Sequence, residues 1–414
     1  MNKRLSQAEI DVRMRGFALR TSVAAAIEWL DQQLAPLAPE KVELVEAAGR
    51  VLPADVYSDV DVPGFDRAMM DGFALDARSV EGAGPYNRLV LSVVGESYPG
   101  RPFSGCVETG QAVRIMTGAP MPGGTNAVLP AELAESQGER VWASGDVSPG
   151  KNIGRRGEDV VSGGLLLRAG RRLRPQDLGV LSSVGIGCVA VTRRPQVSIV
   201  LTGDELLEAG TRPRDFNIAD ANGPMLAALV ERDGGQIVGQ RLVPDVRDRI
   251  AEALLQPADV VLVSGGSSVG QEDHVPLLVS ELGELTVHGV AMRPSSPCGM
   301  GRINTGLVFL LPGNPVSCLC AYDFFAGRAI RALGGRDKAW PYRQRKGKLG
   351  RKISSVIGRV DYARVMFVDG AIEPVAISGA SILTSTTKAD GFLIIPEGSE
   401  GYAAGTEIDV YLYD

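Results

Sequence analysis

The chain has 414 residues, 44% apolar and 22% charged, with 49 acidic against 43 basic side chains and a formal net charge of −6. At about 100–200 residues per domain this predicts two to four domains with substantial cores, and the acidic balance argues against a nucleic-acid-coating protein, whose phosphate-tracking surface leaves its domain basic. Two histidines and five cysteines, the latter without zinc-ligand spacing or a C-x-x-C pair, argue against a multi-histidine metal centre and predict a reduced chain.

No apolar run approaches the roughly 20 residues that cross a bilayer, and the first twenty residues lack the apolar centre of a signal peptide, so the expected compartment is the cytoplasm. Val23 to Leu34, VAAAIEWLDQQL, places apolar residues at helical spacing and predicts an amphipathic helix. From Val42 to about Val191 the pattern changes to short apolar runs punctuated by Gly and Pro, which predicts small β-rich modules.

Near Pro195 strands begin to alternate with helices. VSIVLTGDEL, QIVGQRLV, DVVLVSGGSSVGQED, LTVHGVAM and GLVFLLPG read as strands, interleaved with NGPMLAALVERDGG, DVRDRIAEALLQ and HVPLLVSELG as helices. A long helix, NPVSCLCAYDFFAGRAIRAL, closes the series. Asn222 and Asn314 stand at expected N-caps, and Pro315 at a first helical position. The alternation predicts a doubly wound, mostly parallel sheet. After Trp340, ARVMFV, AIEPVAI, FLIIPE and EIDVYLY predict a small β-barrel or sandwich.

In an open α/β sheet, ligands bind outside the carboxyl ends of the strands. Three glycine-bearing segments are expected at that edge: Thr202-Gly203-Asp204-Glu205, Ser264 through Gly270, and Pro312-Gly313-Asn314-Pro315. Two run into helices, whose free N–H groups and dipole stabilise a phosphate or similar oxyanion. Glu205, Asp245 and Asp273 follow strand ends at the same edge and suit Mg²⁺ shared with a substrate phosphate, or a general base; a helix cap explains Asp245 nearly as well. Two further segments stand out, PGFDRAMMDGFA at Pro63–Ala74 and NIGRRGED at Asn152–Asp159. Arg155 and Arg156 are candidates to grip an anion bidentately.

VPGFDRAMMDGFA, RIMTGAPMPGGTNAV, NIGRRGED, VLTGDEL, DAN, VSGGSSVGQED and LPGNPVS occur in that order. Together they resemble the MoeA family of molybdenum insertases, whose eukaryotic counterparts include the gephyrin E domain; the likeness runs from about residue 22 to the C-terminus. The resemblance implies a multidomain α+β and α/β homodimer. Its parts would be an N-terminal tail (1–21), a discontinuous linker and dimerisation domain (22–55 and 150–192), an inserted β-rich domain (56–149), a doubly wound α/β molybdopterin-binding domain (193–336) and a C-terminal β-barrel (337–414).

The implied reaction inserts molybdate into adenylylated molybdopterin and releases AMP, with Mg²⁺ assisting. The implied partners are a molybdopterin adenylyltransferase and recipient molybdoenzymes, with no nucleic acid and no membrane. Carried over by position, the acidic and polar site residues are Asp71, Thr117, Asp159, Glu205, Asp245 and Asp273, with Asp245 and Asp273 at the metal. The pterin would be held by Thr202, Gly203, Ser264, Gly265, Gly266, Ser268, Gly270, Pro312, Gly313, Asn314, Pro315 and Ser381.

One departure bears on activity. The family's lysine-rich K-x-x-x-K-P-G-K-P stretch is GVAMRPSSP here, so its lysine positions hold Gly289, Arg293 and Ser296. Ala68 also stands where the family has Ser. The chain has eight lysines and 35 arginines, and Arg293 is the expected cation for oxyanion capture. Loss of the other two charges leaves a second expectation, a relative that carries molybdopterin or the finished cofactor without efficient insertion.

Overall fold

A computed structural model of the chain describes residue 17 and residues 19–266, 274–376 and 379–413. The chain divides into two compact units: Met1–Lys41 with Gly49–Pro53 and Ala190–Asp414, and Val42–Ala48 with Ala54–Val189.

In the first unit α1 (Val23–Gln32) has Ser22 as its N-cap, which accepts from the Ala25 N–H at 3.1 Å. A six-stranded sheet follows, made of β1 (Gln196–Thr202), β2 (Gln236–Val243), β3 (Val260–Ser264), β4 (Glu284–His288), β5 (Gly299–Ile303) and β6 (Gly306–Leu311). Its spatial order is β2-β1-β3-β6-β5-β4, parallel from β2 through β6 and antiparallel at the β6–β5 and β5–β4 pairs. Alternation along buried strands feeds two cores. Val197, Ile199 and Leu201 with Leu262 and Phe309 pack on one face, while Val200, Val261, Val263, Val308 and Leu310 pack on the other. This is the period of two that a sheet covered on both faces requires.

Helices α2 (Asn222–Asp233) and α3 (Arg247–Leu254) lie between these strands in sequence, as does α4 (Val275–Leu282). Leu226 and Val230 of α2 reach the first core, Ile250 and Leu254 of α3 the second, at the spacing of successive helical turns. The closing helix departs from a uniform pitch: α5 (Pro315–Ala321) passes through a π-helical turn, Tyr322–Ala326, into α6 (Gly327–Leu333). That turn buries Asp323 completely, where its carboxylate accepts from Tyr342 Oη at 2.9 Å and from Arg232 at 3.2 Å.

Three expectations are corrected. LTVHGVAM is not one strand, because the backbone turns at Gly289 with φ +84° and Met292–Arg293 pairs instead with Val360 and Asp361. Gly299–Ile303 is a strand that its glycine-rich sequence, GMGRI, did not advertise. Asn222 is the first residue of α2 and not its cap. Asp220 Oδ1 takes the N–H groups of Asn222 and Gly223, both at 2.9 Å.

At the end of the same unit five strands close on themselves in the order Val360–Val368, Ala371–Ala376, Gln344–Leu349, Glu407–Leu412 and Gly391–Ile395, the last pairing back with the first. This is the C-terminal barrel, filled by Leu349, Ile353, Val365, Leu393 and Val410. The second unit is built on another six-stranded sheet, ordered Ala127–Pro130, Gly72–Leu75, Gln111–Ile115, Leu89–Ser97, Arg140–Ala143 and Ala134–Gln137. Its core gathers Phe73, Leu75, Leu91 and Leu129.

Candidate functional site

Strand order reverses between β1 and β3, since the chain leaves β1 for β2 on one side and returns to β3 on the other. The carboxyl ends there part and leave a crevice. A cavity of about 490 Å³ occupies it, and all three glycine-bearing segments line it: Thr202, Gly203 and Glu205 after β1, Ser264, Gly265 and Gly266 after β3, and Pro312, Gly313, Asn314 and Pro315 between β6 and α5. Asp245, following β2, and Ser381 complete that part of the wall. Ser268, Gly270 and Asp273 lie outside the described residues.

Local chemistry fixes this crevice. Gly265 has φ +102°, and a Cβ there would stand 2.1 Å from the Thr202 carbonyl oxygen, so two neighbouring strand ends approach as only glycine permits. The Thr202 hydroxyl donates to Asp245 Oδ1, while the Asp245 N–H donates to Asp204 Oδ1 at 3.0 Å. Asp245 is therefore no helix cap: α3 has Val246 at its N-cap and no side-chain capping bond. Its second carboxylate oxygen and the exposed Glu205 give the crevice an acidic wall.

Asn222 is a site residue that sequence reasoning reduced to a cap. Its Nδ2 donates to Ser264 Oγ at 2.9 Å and to the Gly313 carbonyl at 2.7 Å, tying the β3 and β6 loops together. Its Oδ1 is buried without a hydrogen-bond partner among the described residues, so an acceptor is left beside the cavity.

A second cavity, about 700 Å³, adjoins the first. The two share Pro297, Pro312 and Asn314. The second is lined by Arg20, Arg293 and Arg359, by Ser295 and Ser296, and by no acidic residue among the described residues. Arg293 pairs with the fully buried Asp361, and Arg359 Nε stands 3.1 Å from the other oxygen of that carboxylate. Arg293 and Arg359 share one carboxylate, and with Arg20 on the same wall the positive charges outnumber it by two among the described residues. The Ser296 hydroxyl is buried and unpartnered among the described residues, while the Ser295 hydroxyl donates to the Ser317 carbonyl. Arg293, the cation expected for oxyanion capture, lines this pocket and is half-committed to Asp361. Arg20 and Arg359 are cations that the sequence did not single out; nothing in their local sequence distinguishes them from the chain's other arginines.

Asp71, Thr117 and Asp159 belong to the second unit. There Asp71 Oδ1 accepts from both the backbone N–H and the hydroxyl of Thr117, each at 2.7 Å, and these donors hold the Asp71 carboxyl below the usual carboxylate range. Asp71 and Asp159 are both exposed. Arg155 and Arg156, read as forks for an external anion, are engaged within the unit: Arg155 with Asp66 and Arg156 with Asp61, each at 2.6 Å. The acids that follow those arginines in space are far from them in sequence, so the pairing had no local signal.

The chain matches the MoeA N-terminal region (domain I and II) over residues 21–185, a probable molybdopterin binding domain over 198–332 and the MoeA C-terminal region (domain IV) over 346–413. It is 33% identical to molybdopterin molybdenumtransferase 2 of Mycobacterium tuberculosis across 90% of this chain and 95% of that one. It is 31% identical to molybdopterin molybdenumtransferase of Haemophilus influenzae across 93% and 96%. A solved molybdopterin biosynthesis MoeA protein from Pyrococcus horikoshii matches with a TM-score of 0.77 at 32% identity, covering 95% of this chain and all of that one. With the motifs in order, the three regions spanned and this likeness in fold, the chain belongs to the MoeA family.

Proposed function

We propose that this chain is a molybdenum insertase of molybdenum cofactor biosynthesis. It takes adenylylated molybdopterin and molybdate, transfers the metal to the dithiolene sulfurs and releases AMP by cleaving the pyrophosphate. The observation that carries this reading is the pair of adjoining cavities with opposite linings: a crevice of carboxylates, glycine turns and amides, and a pocket with three arginines and, among the described residues, no acid, meeting at Pro297, Pro312 and Asn314. Two anions that must react are then held apart until both are seated, which is how positioning lowers a barrier between like-charged reactants.

Glu205 and Asp245 would repel a pyrophosphate by themselves. Mg²⁺ resolves this, because it is commonly held by one or two carboxylates together with substrate phosphates. The residues fit that mode: Asp245 keeps one carboxylate oxygen free of Thr202, and Glu205 is exposed at the same wall. Held by Asp245 and Glu205 with the substrate phosphates, the ion would supply charge neutralisation and polarise the bond that breaks. The chain's own contributions are Thr202, which orients Asp245, and Asn222, which fixes the two loops at which the pterin phosphate would dock.

The reading includes a cytoplasmic homodimer in which Asp71, Thr117 and Asp159 of one subunit face the crevice of another, working with a molybdopterin adenylyltransferase and recipient molybdoenzymes. Phe65, Met69 and Met70, all exposed beside Asp71, support an interface at that surface. Mixing an Asp71→Asn chain with an Asp245→Asn chain should restore part of the lost activity through heterodimers, whereas a chain that stays monomeric in light scattering would defeat this arrangement. Purified protein given adenylylated molybdopterin, molybdate and Mg²⁺ should release AMP and yield metallated pterin. Retention of intact adenylylated pterin under those conditions would instead favour the carrier reading, against which the three arginines of the second pocket already weigh.

A further inference from the structure

Within the proposed insertase reading, we infer that Leu19 and Arg20, held between Phe17 and Thr21, belong to the oxyanion pocket and that Arg20, without a carboxylate partner among the described residues, supplies a cation there, replacing a charge that position 289 cannot carry. Thr21 is held by backbone bonds. Thr21 forms a parallel bridge with Val290, its N–H donating to the Gly289 carbonyl at 3.0 Å and its carbonyl accepting from the Ala291 N–H at 2.8 Å. Four residues earlier, Phe17 packs edge-on against His288, ring centroids 5.0 Å apart.

These contacts explain Gly289. Its φ of +84° disfavours any side chain, and a Cβ would come within 2.5 Å of the Phe17 ring. Phe17 and a lysine at 289 therefore exclude each other; the chain has an aromatic anchor there, and the anchor sets Arg20 on the pocket wall.

Arg20 differs from its two neighbours in charge balance. Arg293 and Arg359 share the buried Asp361, which also accepts from Ser355 Oγ at 2.7 Å. Among the described residues Arg20 has no carboxylate partner, and it is exposed at the pocket wall. A guanidinium also presents a planar fork, able to grip a tetrahedral oxyanion with two parallel N–H bonds where an ammonium offers a point charge.

Calorimetric titration of the purified chain with molybdate tests this directly. Arg20→Ala should weaken molybdate binding about tenfold while leaving molybdopterin affinity and the melting temperature unchanged, and Arg20→Lys should recover part of the loss. If Phe17 acts by placing Arg20, Phe17→Ala should weaken binding in the parent chain and add nothing in the Arg20→Ala background, the non-additivity expected of one unit. Arg359→Ala is the control for the pocket itself. Weakening by Arg359→Ala with no change in Arg20→Ala would overturn the role of Arg20 and leave the pocket standing. A parent chain that takes up no molybdate would overturn the pocket reading and the role of Arg20 together.

Discussion

In the proposed reading, the two adjoining cavities of the first unit each hold an anion, and they do so by opposite means. In the crevice at the ends of β1 and β3, acids form the wall, and closely approaching backbone set by Gly265 and Asn222 does the shaping. In the neighbouring pocket side-chain cations dominate, and Asp361 is buried behind two of them. The difference is instructive about tolerance to change. A site shaped by backbone contact can accept few substitutions, whereas a site defined by charge can exchange lysines for arginines drawn from other parts of the chain, provided the positive excess survives.

The sharpest way to break this contrast is at the backbone. Gly265→Ala should cost about 2–4 kcal/mol, since both the φ and the 2.1 Å approach to Thr202 are lost to a methyl group; thermal denaturation would register it, and molybdopterin binding should fall with it. Asp245→Asn comes next. Its amide still takes the Thr202 hydroxyl bond through Oδ1, so the fold should hold, while AMP release drops by about two orders of magnitude and no longer responds to added Mg²⁺.

Removing one guanidinium from Asp361 should have a smaller effect. Arg293→Ala leaves a buried carboxylate with Arg359 alone and should cost about 1–3 kcal/mol by denaturant titration; no loss would mean that the pair does not stabilise the fold. The smallest effect lies in the second unit. Asp71 has the lower pKa in the folded state, so its contribution is complete above the ordinary carboxylate range and is lost as acidification passes through the folded-state pKa. Thr117→Val removes the hydroxyl donor, and carboxyl titration followed by NMR should show the Asp71 pKa rising toward its ordinary value.

Much of the fold was legible because periodicity is strong where burial is two-sided. Val197–Leu201 and Val260–Val263 read as strands for the same reason that they now fill two cores. The barrel strands declared themselves in a similar way, except Gln344–Leu349, whose QRKGKL is polar enough to hide. The π-turn at Tyr322–Ala326 was invisible, because every residue in it is buried and an apolar stretch carries no mark of pitch. The crevice was legible through glycine loops at strand ends. Of the cationic pocket only Arg293 was, since Arg20 and Arg359 are separated by more than three hundred residues and are brought to one wall through the pairing of Thr21 and of Met292–Arg293 with their partners.

The account rests on coupling between the two cavities, and a molybdate titration of AMP release in the presence of adenylylated molybdopterin and Mg²⁺ tests it most directly. AMP release and metal incorporation should rise together and saturate together, and Arg359→Ala should shift both curves to higher molybdate without altering pterin affinity. AMP released at the same rate with and without molybdate, or none released at millimolar molybdate, would contradict it.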